Sequence, residues 1–431
     1  MTPTVGTAER PLYFLHLART GGSAITRLVD DAFPAGTLCP HAFVDDLLAA
    51  DRAELDGYGV FCGHLGVLPL RLLDKPITVV TVVREPAARA WSHYRMLRWS
   101  LPATAPDWDR RRVTFADVLA DPGYGAITRD FQARWLAVVP ERDLRAPEWP
   151  GLALAAPFGP GTTCEPGPLA VGAERLLERG AVVGTTERLA DTIEAMSRLI
   201  GRRLGAPPVV NPSPRGDGVA MDRGDAAEVR RRSPVDVSLL THADRRLDAT
   251  LEALPALTPA SLPLASFPYE HTMDEGFTGT GWHGRAHRAG VGWHRWSGPG
   301  TKAAIRLPVR VRGRASVELH VVATAEADTL DGVALRVQGR PAEVAVARRG
   351  RDVTLVAECD ADDARPFDLE LVVRRTAIVH DAATGRVSAE RAGVALTAVR
   401  LADADADQPG RHHVHLRSRR AARGGGGRRR W

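Results

Sequence analysis

The sequence predicts two folded parts of different class: an α/β domain with a mainly parallel sheet, then an all-β sandwich of jelly-roll type. Three observations carry this. From Leu12 to Leu254 short apolar runs alternate with helical spacing, the pattern of strands and crossover helices with helices on both faces of the sheet. From Leu254 to Tyr269 the chain is proline-rich and carries no charge, which marks a linker. Beyond it, short strand-like runs separated by turn signals replace the helical texture. The expected boundaries are 1–255 for the α/β domain, 256–272 for the linker, 273–405 for a sandwich with a carbohydrate-associated role, and 406–431 for a disordered basic tail.

The first strand is the apolar run Leu12 to Leu17. It breaks at Thr20-Gly21-Gly22-Ser23 and resumes with helical spacing at Ile25, Leu28 and Val29. Strand, glycine turn and helix is the P-loop-like layout in which backbone N–H groups converge on a phosphate, although the full GxxxxGK[ST] pattern is absent. Gly21 and Gly22 allow close backbone approach, and the hydroxyls of Thr20 and Ser23 are expected to add donors. A second apolar run, Tyr58 to Cys62, ends at Gly63-His64, which places His64 at the carboxyl end of a strand, where ligands collect in open α/β sheets. The run Ile77 to Val83 (ITVVTVV) is β-branched almost throughout, as in a parallel strand buried on both faces. It leads into Arg84-Glu85-Pro86, with Pro86 suited to the first turn of a helix that carries Arg89, Ser92 and Tyr94. Arg84 and Ser92 can hold one anion between them; the ordinary alternatives are a strand cap and a helix-packing residue.

Further helices are expected over Phe115–Leu119 and Ala126–Val138, followed by a long Pro/Gly-rich loop from Pro140 to Pro168. Ala181–Gly184 reads as another core strand, and Thr185 to Arg188 lead into a helix ending near Ile200. Pro207–Gly224 reads as unstructured. Ser233-Pro234 starts a helix with Val237, Leu240, Leu247 and Leu251 as its apolar face. In the second part, the expected strands are Lys302–Val309, Ala315–Val322, Val333–Val337, Val353–Ala357, Phe367–Val373 and Val394–Leu401. Val317/Leu319/Val321 and Phe367/Leu369/Leu371/Val373 alternate strictly, so one face packs on a core. Before them, GWHGRAHRAGVGWHRWSGPG supplies Trp282, Trp293 and Trp296, which either stack on sugar rings or cap the open end of the core.

Composition narrows the class further. The chain has 431 residues, 44% hydrophobic and 25% charged, ordinary values for globular protein. The net charge of +5 owes much to the C-terminal tail, so an anionic cofactor or substrate is compatible and no specific nucleic acid partner is demanded. Four separated cysteines, with no CxxC pair, indicate neither a zinc site nor a disulfide framework. No apolar run approaches a membrane span and no signal segment is evident, so a cytoplasmic location is expected.

LARTGGS, GH and REPAARAWSHY follow three successive strands and must point into one crevice. Together they resemble the sulfotransferase family, in the branch of heparan sulfate 2-O-sulfotransferase and its bacterial relatives. Thr20, Gly21, Gly22 and Ser23 match that family's PKTGGTS motif, and Arg84, Pro86, Arg89, Ser92 and Tyr94 match its RxPxxRxxSxY motif. The resemblance covers about Pro11 to Leu254 and departs at Ala18-Arg19, where the family has Pro-Lys. It implies that the first motif binds the 5′-phosphosulfate of 3′-phosphoadenosine 5′-phosphosulfate, that Arg84 and Ser92 bind its 3′-phosphate, and that no metal is needed. It also implies His64 as the base for an acceptor hydroxyl, with Arg19 keeping the charge of the family's lysine in a planar fork.

The function this predicts is sulfuryl transfer to a hydroxyl of a carbohydrate acceptor. Two alternatives remain at this stage: a non-catalytic glycan-binding protein on the same fold, and a nucleotide-dependent phosphotransferase. The latter requires a GK[ST] and a metal-holding Asp after a strand, and the sequence shows neither.

Overall fold

The computed structural model describes residues 5–100, 114–121, 125, 128–137, 166–205, 221–257, 264–350, 352–361, 366–380 and 387–404. Three expectations fall outside these residues: most of the loop from Pro140 to Pro168, the segment Pro207 to Ala220, and the basic tail. The chain divides into two compact units, Met1–Pro263 with Met273–Thr280, and Leu264–Thr272 with Gly281–Trp431.

The first unit is built on four short strands, β1 (Leu12–Leu15), β2 (Val60–Gly63), β3 (Thr78–Val83) and β4 (Val182–Thr185), all parallel in the order β2-β1-β3-β4. Each backbone is buried and needs its ladder, and β3, with no polar alternation, is buried at all six positions. The longer helices among the described residues are α1 (Gly22–Ala32), α2 (Pro86–Ser100), α3 (Phe131–Ala137), α4 (Pro166–Arg179), α5 (Leu189–Ile200), α6 (Arg223–Arg232) and α7 (Pro234–Ala253), with shorter ones at Val44–Ala49, Arg52–Gly57 and Pro69–Leu72. A short helix, Phe115–Ala120, is closed by a capping box between Thr114 and Asp117.

Alternation along β1 separates two cores. Tyr13 and Leu15 pack in one cluster with Ala87, Ala90, Phe131, Leu177 and Leu239; Leu12 and Phe14 pack in the other with Ile25, Leu28, Ile193 and Met196. The sheet is therefore covered by helices on both faces.

The structure moves several expected features. β1 stops at Leu15 rather than Leu17, and the chain turns at Ala18-Arg19 into the glycine loop. The apolar face of α7 is rotated: Val235, Leu239, Ala243 and Leu247 are buried with Asp236, whereas Val237 is exposed. The cause is polar, since the Asp236 carboxylate bonds backbone N–H groups of α3. Helix α6 has a sequence, RGDAAEVRRR, that offers only Ala226 and Val229 to a core and so carries almost no periodic signal.

The linker expected over 256–272 ends earlier, because Tyr269–Thr272 (β5) is a strand of the second unit. The expected sandwich start at 273 also shifts. Met273–Thr280 belongs to the first unit, where Phe277 N–H donates to Asp31 O at 2.5 Å and Ala35 N–H to Asp274 O at 2.7 Å.

In the second unit the strands of the two larger sheets after β5 are β6 (Trp282–Arg288), β7 (Gly292–Ser297), β8 (Lys302–Leu307), β9 (Gly313–Thr324), β10 (Ala334–Val337), β11 (Arg340–Ala342), β12 (Val344–Arg349), β13 (Asp352–Ala361), β14 (Phe367–Val372) and β15 (Val394–Asp403). Ala377–His380 pairs with Val387–Ala392 as a separate hairpin. One antiparallel sheet runs β12-β13-β9-β15-β7-β6, with β5 pairing β15; another contains β11-β10-β14-β8. Val317, Leu319 and Val321 on the first, and Ile305, Leu307, Leu369 and Leu371 on the second, are buried, giving a sandwich-like core. No helix among the described residues is long and apolar enough to cross a membrane.

Candidate active site

Because β1 to β4 are parallel, their carboxyl ends lie along one edge, and the four chain segments that leave them meet there. After β1 the chain runs through Arg19 at φ +71° and Gly21 at φ +80°, two left-handed residues within three positions. Gly21 suits that region; Arg19 does not, and a strained non-glycine residue of this kind is held only where the surroundings over-determine it. Those surroundings are explicit. Arg19 Nε donates to Ser92 Oγ at 3.1 Å, the Arg84 guanidinium donates to Arg19 O at 3.1 Å, and Thr186 Oγ1 donates to Thr20 O at 2.8 Å.

Thr20 departs from expectation. Its fully buried hydroxyl donates to Leu17 O at 2.9 Å, so it shapes the loop instead of adding a donor toward a ligand. Ser23 is exposed in the first turn of α1, and no side chain caps that helix. Gly22 has no room for a side chain: a Cβ there would lie 1.8 Å from His16 Cδ2. Gly22→Ala is therefore expected to unseat the His16 ring and to cost about 1–3 kcal/mol of stability, the usual range for overpacking, as read by denaturant titration. Unchanged stability would show that the ring does not rest on this glycine.

His64 follows β2, and Gly63 before it admits the Ala42 carbonyl, which a Cβ would meet at 2.3 Å. His64 Nδ1 lies 2.8 Å from His16 O. A carbonyl only accepts, so Nδ1 carries the proton and Nε2 keeps its lone pair. The His64 and His16 rings stack with centroids 4.2 Å apart. Burial pushes His16 down to about 3, with His64 and Arg19 adding repulsion, so it stays neutral at physiological pH. Burial also lowers His64, while its bond to the His16 carbonyl opposes that shift.

Arg84 is fixed from the backbone outward. Its N–H donates to Gln132 Oε1 and its carbonyl accepts from Gln132 Nε2, both at 2.8 Å. Gln132 N–H and Ala133 N–H in turn donate to Asp236 at 3.1 and 2.8 Å. Burial lowers both Arg19 and Arg84; Arg19 is lowered further by Arg84 and Arg95, while Glu187 and Glu85 support the charge of Arg84. The Arg84 Nε is buried with no hydrogen-bond partner among the described residues.

The structure thus brings together Arg19, Thr20, Gly21, Gly22, Ser92 and Arg84, with His64 linked to the same loop through His16. It joins Ser92 to Arg19 rather than to Arg84. His16 and Asp236 carry weight that sequence reasoning missed. For His16 the available signal is its place just past the end of β1; Asp236, an acid in the first turn of a helix, carries none.

No family model matches the chain, and no curated protein matches it. Among solved structures, a family 35 carbohydrate binding module from Clostridium thermocellum is similar at 9% identity and a TM-score of 0.20, covering 32% of this chain and 100% of that one. A family GH115 4-O-methyl-alpha-glucuronidase with specificity for decorated arabinogalactans is similar at 8% identity and a TM-score of 0.22, covering 50% of this chain and 28% of that one. Likenesses this loose carry neither fold nor chemistry over to the present chain.

Proposed function

We propose that the first unit is a P-loop-like sulfotransferase of the family its motifs resemble. It would move a sulfuryl group from 3′-phosphoadenosine 5′-phosphosulfate to a hydroxyl of a carbohydrate acceptor. The single observation that supports this best is the bond between Arg19 and Ser92, 73 positions apart, with Arg84 on the Arg19 carbonyl. It supports reading the two motifs as parts of one anion site. The donor set suits the nucleotide: two half-buried arginines, an unpartnered Arg84 Nε, and a glycine turn that opens a helix.

In this reading Gly21, Gly22 and Ser23 hold the 5′ side with Arg19, and Arg84 and Ser92 hold the 3′-phosphate. The donor supplies the sulfuryl group and a phosphate leaving group. Arg19 offsets the negative charge that grows on the leaving oxygen, and its strained, bonded position keeps it in place beforehand. His64 takes the acceptor proton at Nε2, held in that tautomer by the His16 carbonyl.

Calorimetry with 3′-phosphoadenosine 5′-phosphate and with ADP tests the assignment. The 3′-phosphorylated nucleotide is expected to bind and ADP hardly at all. Arg84→Ala should weaken the former by ~1.5–3 kcal/mol, the worth of a charge-assisted hydrogen bond, with little change for ADP. Equal loss for both nucleotides overturns the 3′-phosphate assignment, and absence of sulfate transfer to any of a panel of oligosaccharides overturns the activity.

A further inference from the structure

The second unit carries a surface that the transferase reading does not use. β6 and β7 form an antiparallel hairpin at one end of their sheet, with β6 on the edge. The register sets His287 opposite Trp293 and Arg285 opposite Arg295, so these four residues share one face. Trp293 is 37% exposed, and it alone of the tryptophans with described side chains falls in the exposed class. Its ring centroid lies 5.0 Å from that of His287 and 5.9 Å from the Arg285 guanidinium carbon. Arg288 is exposed beside the turn. Trp282 and Trp296 differ: both are half-buried, and Trp282 Nε1 donates to Ala304 O at 3.0 Å, so they serve the fold. From Gly276 to Val317 the sequence contains no Asp or Glu, whereas the hairpin supplies Arg285 and the exposed Arg288; Arg295 is fully buried and serves the fold.

We propose that this hairpin face binds an acidic polysaccharide. One sugar ring would lie on the Trp293 indole, and its carboxylate or sulfate would meet Arg285 on the same face. The indole face offers a flat, electron-rich platform for the C–H side of a pyranose, and guanidinium forks match carboxylate and sulfate geometry. The hairpin itself carries no acid, so its own charge has the matching sign. Single-stranded nucleic acid is the poorer fit, because it needs successive stacking platforms along a groove and this face offers one. A membrane surface is also a poorer fit: the other exposed large apolar residues of the unit, Leu264, Val322, Val346 and Ile378, lie outside the hairpin.

This inference is independent of the transferase reading, and calorimetry on the full chain tests it. The probes are a hexasaccharide of alternating glucuronate and N-acetylglucosamine, its sulfated form, a neutral β-1,4-glucan hexasaccharide and a short oligothymidylate. Both acidic sugars are expected to bind at least about tenfold more tightly than the neutral one, with affinity falling as salt rises. Trp293→Ala and Arg285→Ala should each weaken them by about tenfold, the scale of a lost stacking or ionic contact, and Trp293→Phe should retain part of the affinity. An unchanged denaturant unfolding transition in these variants shows that they remain folded. Acidic sugars that bind equally well to Trp293→Ala are binding elsewhere, and the proposal falls. It falls equally if the neutral glucan binds as tightly, or if oligothymidylate binds more tightly in a Trp293-dependent manner.

Discussion

Replacing His64 by alanine is expected to lower turnover by on the order of 10²–10⁴, the contribution of a positioned general base, while 3′-phosphoadenosine 5′-phosphate still binds. Three local facts fit His64 to the proposed role: Nδ1 lies 2.8 Å from the His16 carbonyl, the rings stack at 4.2 Å, and burial lowers the His64 pKa. A base must be neutral to accept a proton. Activity is therefore lost as pH falls through the folded pKa, which lies below the ordinary imidazole value of 6.5. The acid limb of kcat/KM in the parent should sit on that low side and vanish in His64→Ala. His16, pushed down to about 3, does not titrate in this window and cannot mimic the limb. Arg19→Ala should reduce turnover more than donor affinity, because the charge it offsets grows only in the transition state, and Arg19→Lys should keep much of the activity. Turnover of His64→Ala at the parent rate would remove His64 from the chemistry and turn attention to Glu187 or His93.

The features legible in the sequence are those whose physics is local. Thr78–Val83 reads as a buried parallel strand because β-branched residues occupy both faces, and Gly21-Gly22 before an apolar helical spacing reads as an anion turn. His64 is legible from Gly63, the small residue at the strand end. Long-range polar bonds leave no such trace. Asp236 reaches Gln132 across 104 positions, and the same bond rotates the buried face of α7 away from Val237. The β6–β7 hairpin escapes for a different reason. Its alternation is of Trp, His and Arg rather than apolar against polar, and Gly284, Gly290 and Gly292 give it the look of a loop. β5 is hidden in the same way, since it follows a proline-rich stretch and pairs with β15, over a hundred positions later.

Removing the Asp236 carboxylate is expected to have the largest effect on stability. The residue is 1% exposed and accepts from Gln132 N–H at 3.1 Å and Ala133 N–H at 2.8 Å. Arg89 is buried to the same degree, stacks on Phe131 at 4.1 Å, and meets His93 Nδ1 at 3.1 Å. Burial pushes Arg89 down to about 10, with Asp236 opposing the shift, so it remains a cation at pH 7 and depends on the nearby carboxylate. Asp236→Ala strands that cation and two N–H groups together. The expected loss is about 3–5 kcal/mol in the unfolding of the first unit by denaturant, the range for breaking a buried charge pair. Asp236→Asn retains the volume and one acceptor oxygen, so it should cost less. Its informative effect is on binding. Gln132 holds Arg84 by both backbone groups, and a Gln132 no longer anchored by Asp236 should loosen Arg84 and weaken 3′-phosphoadenosine 5′-phosphate more than ADP. A loss below about 1 kcal/mol in Asp236→Ala would mean that water or another group already solvates Arg89, and that Arg84 is held by its own contacts rather than through this chain of bonds.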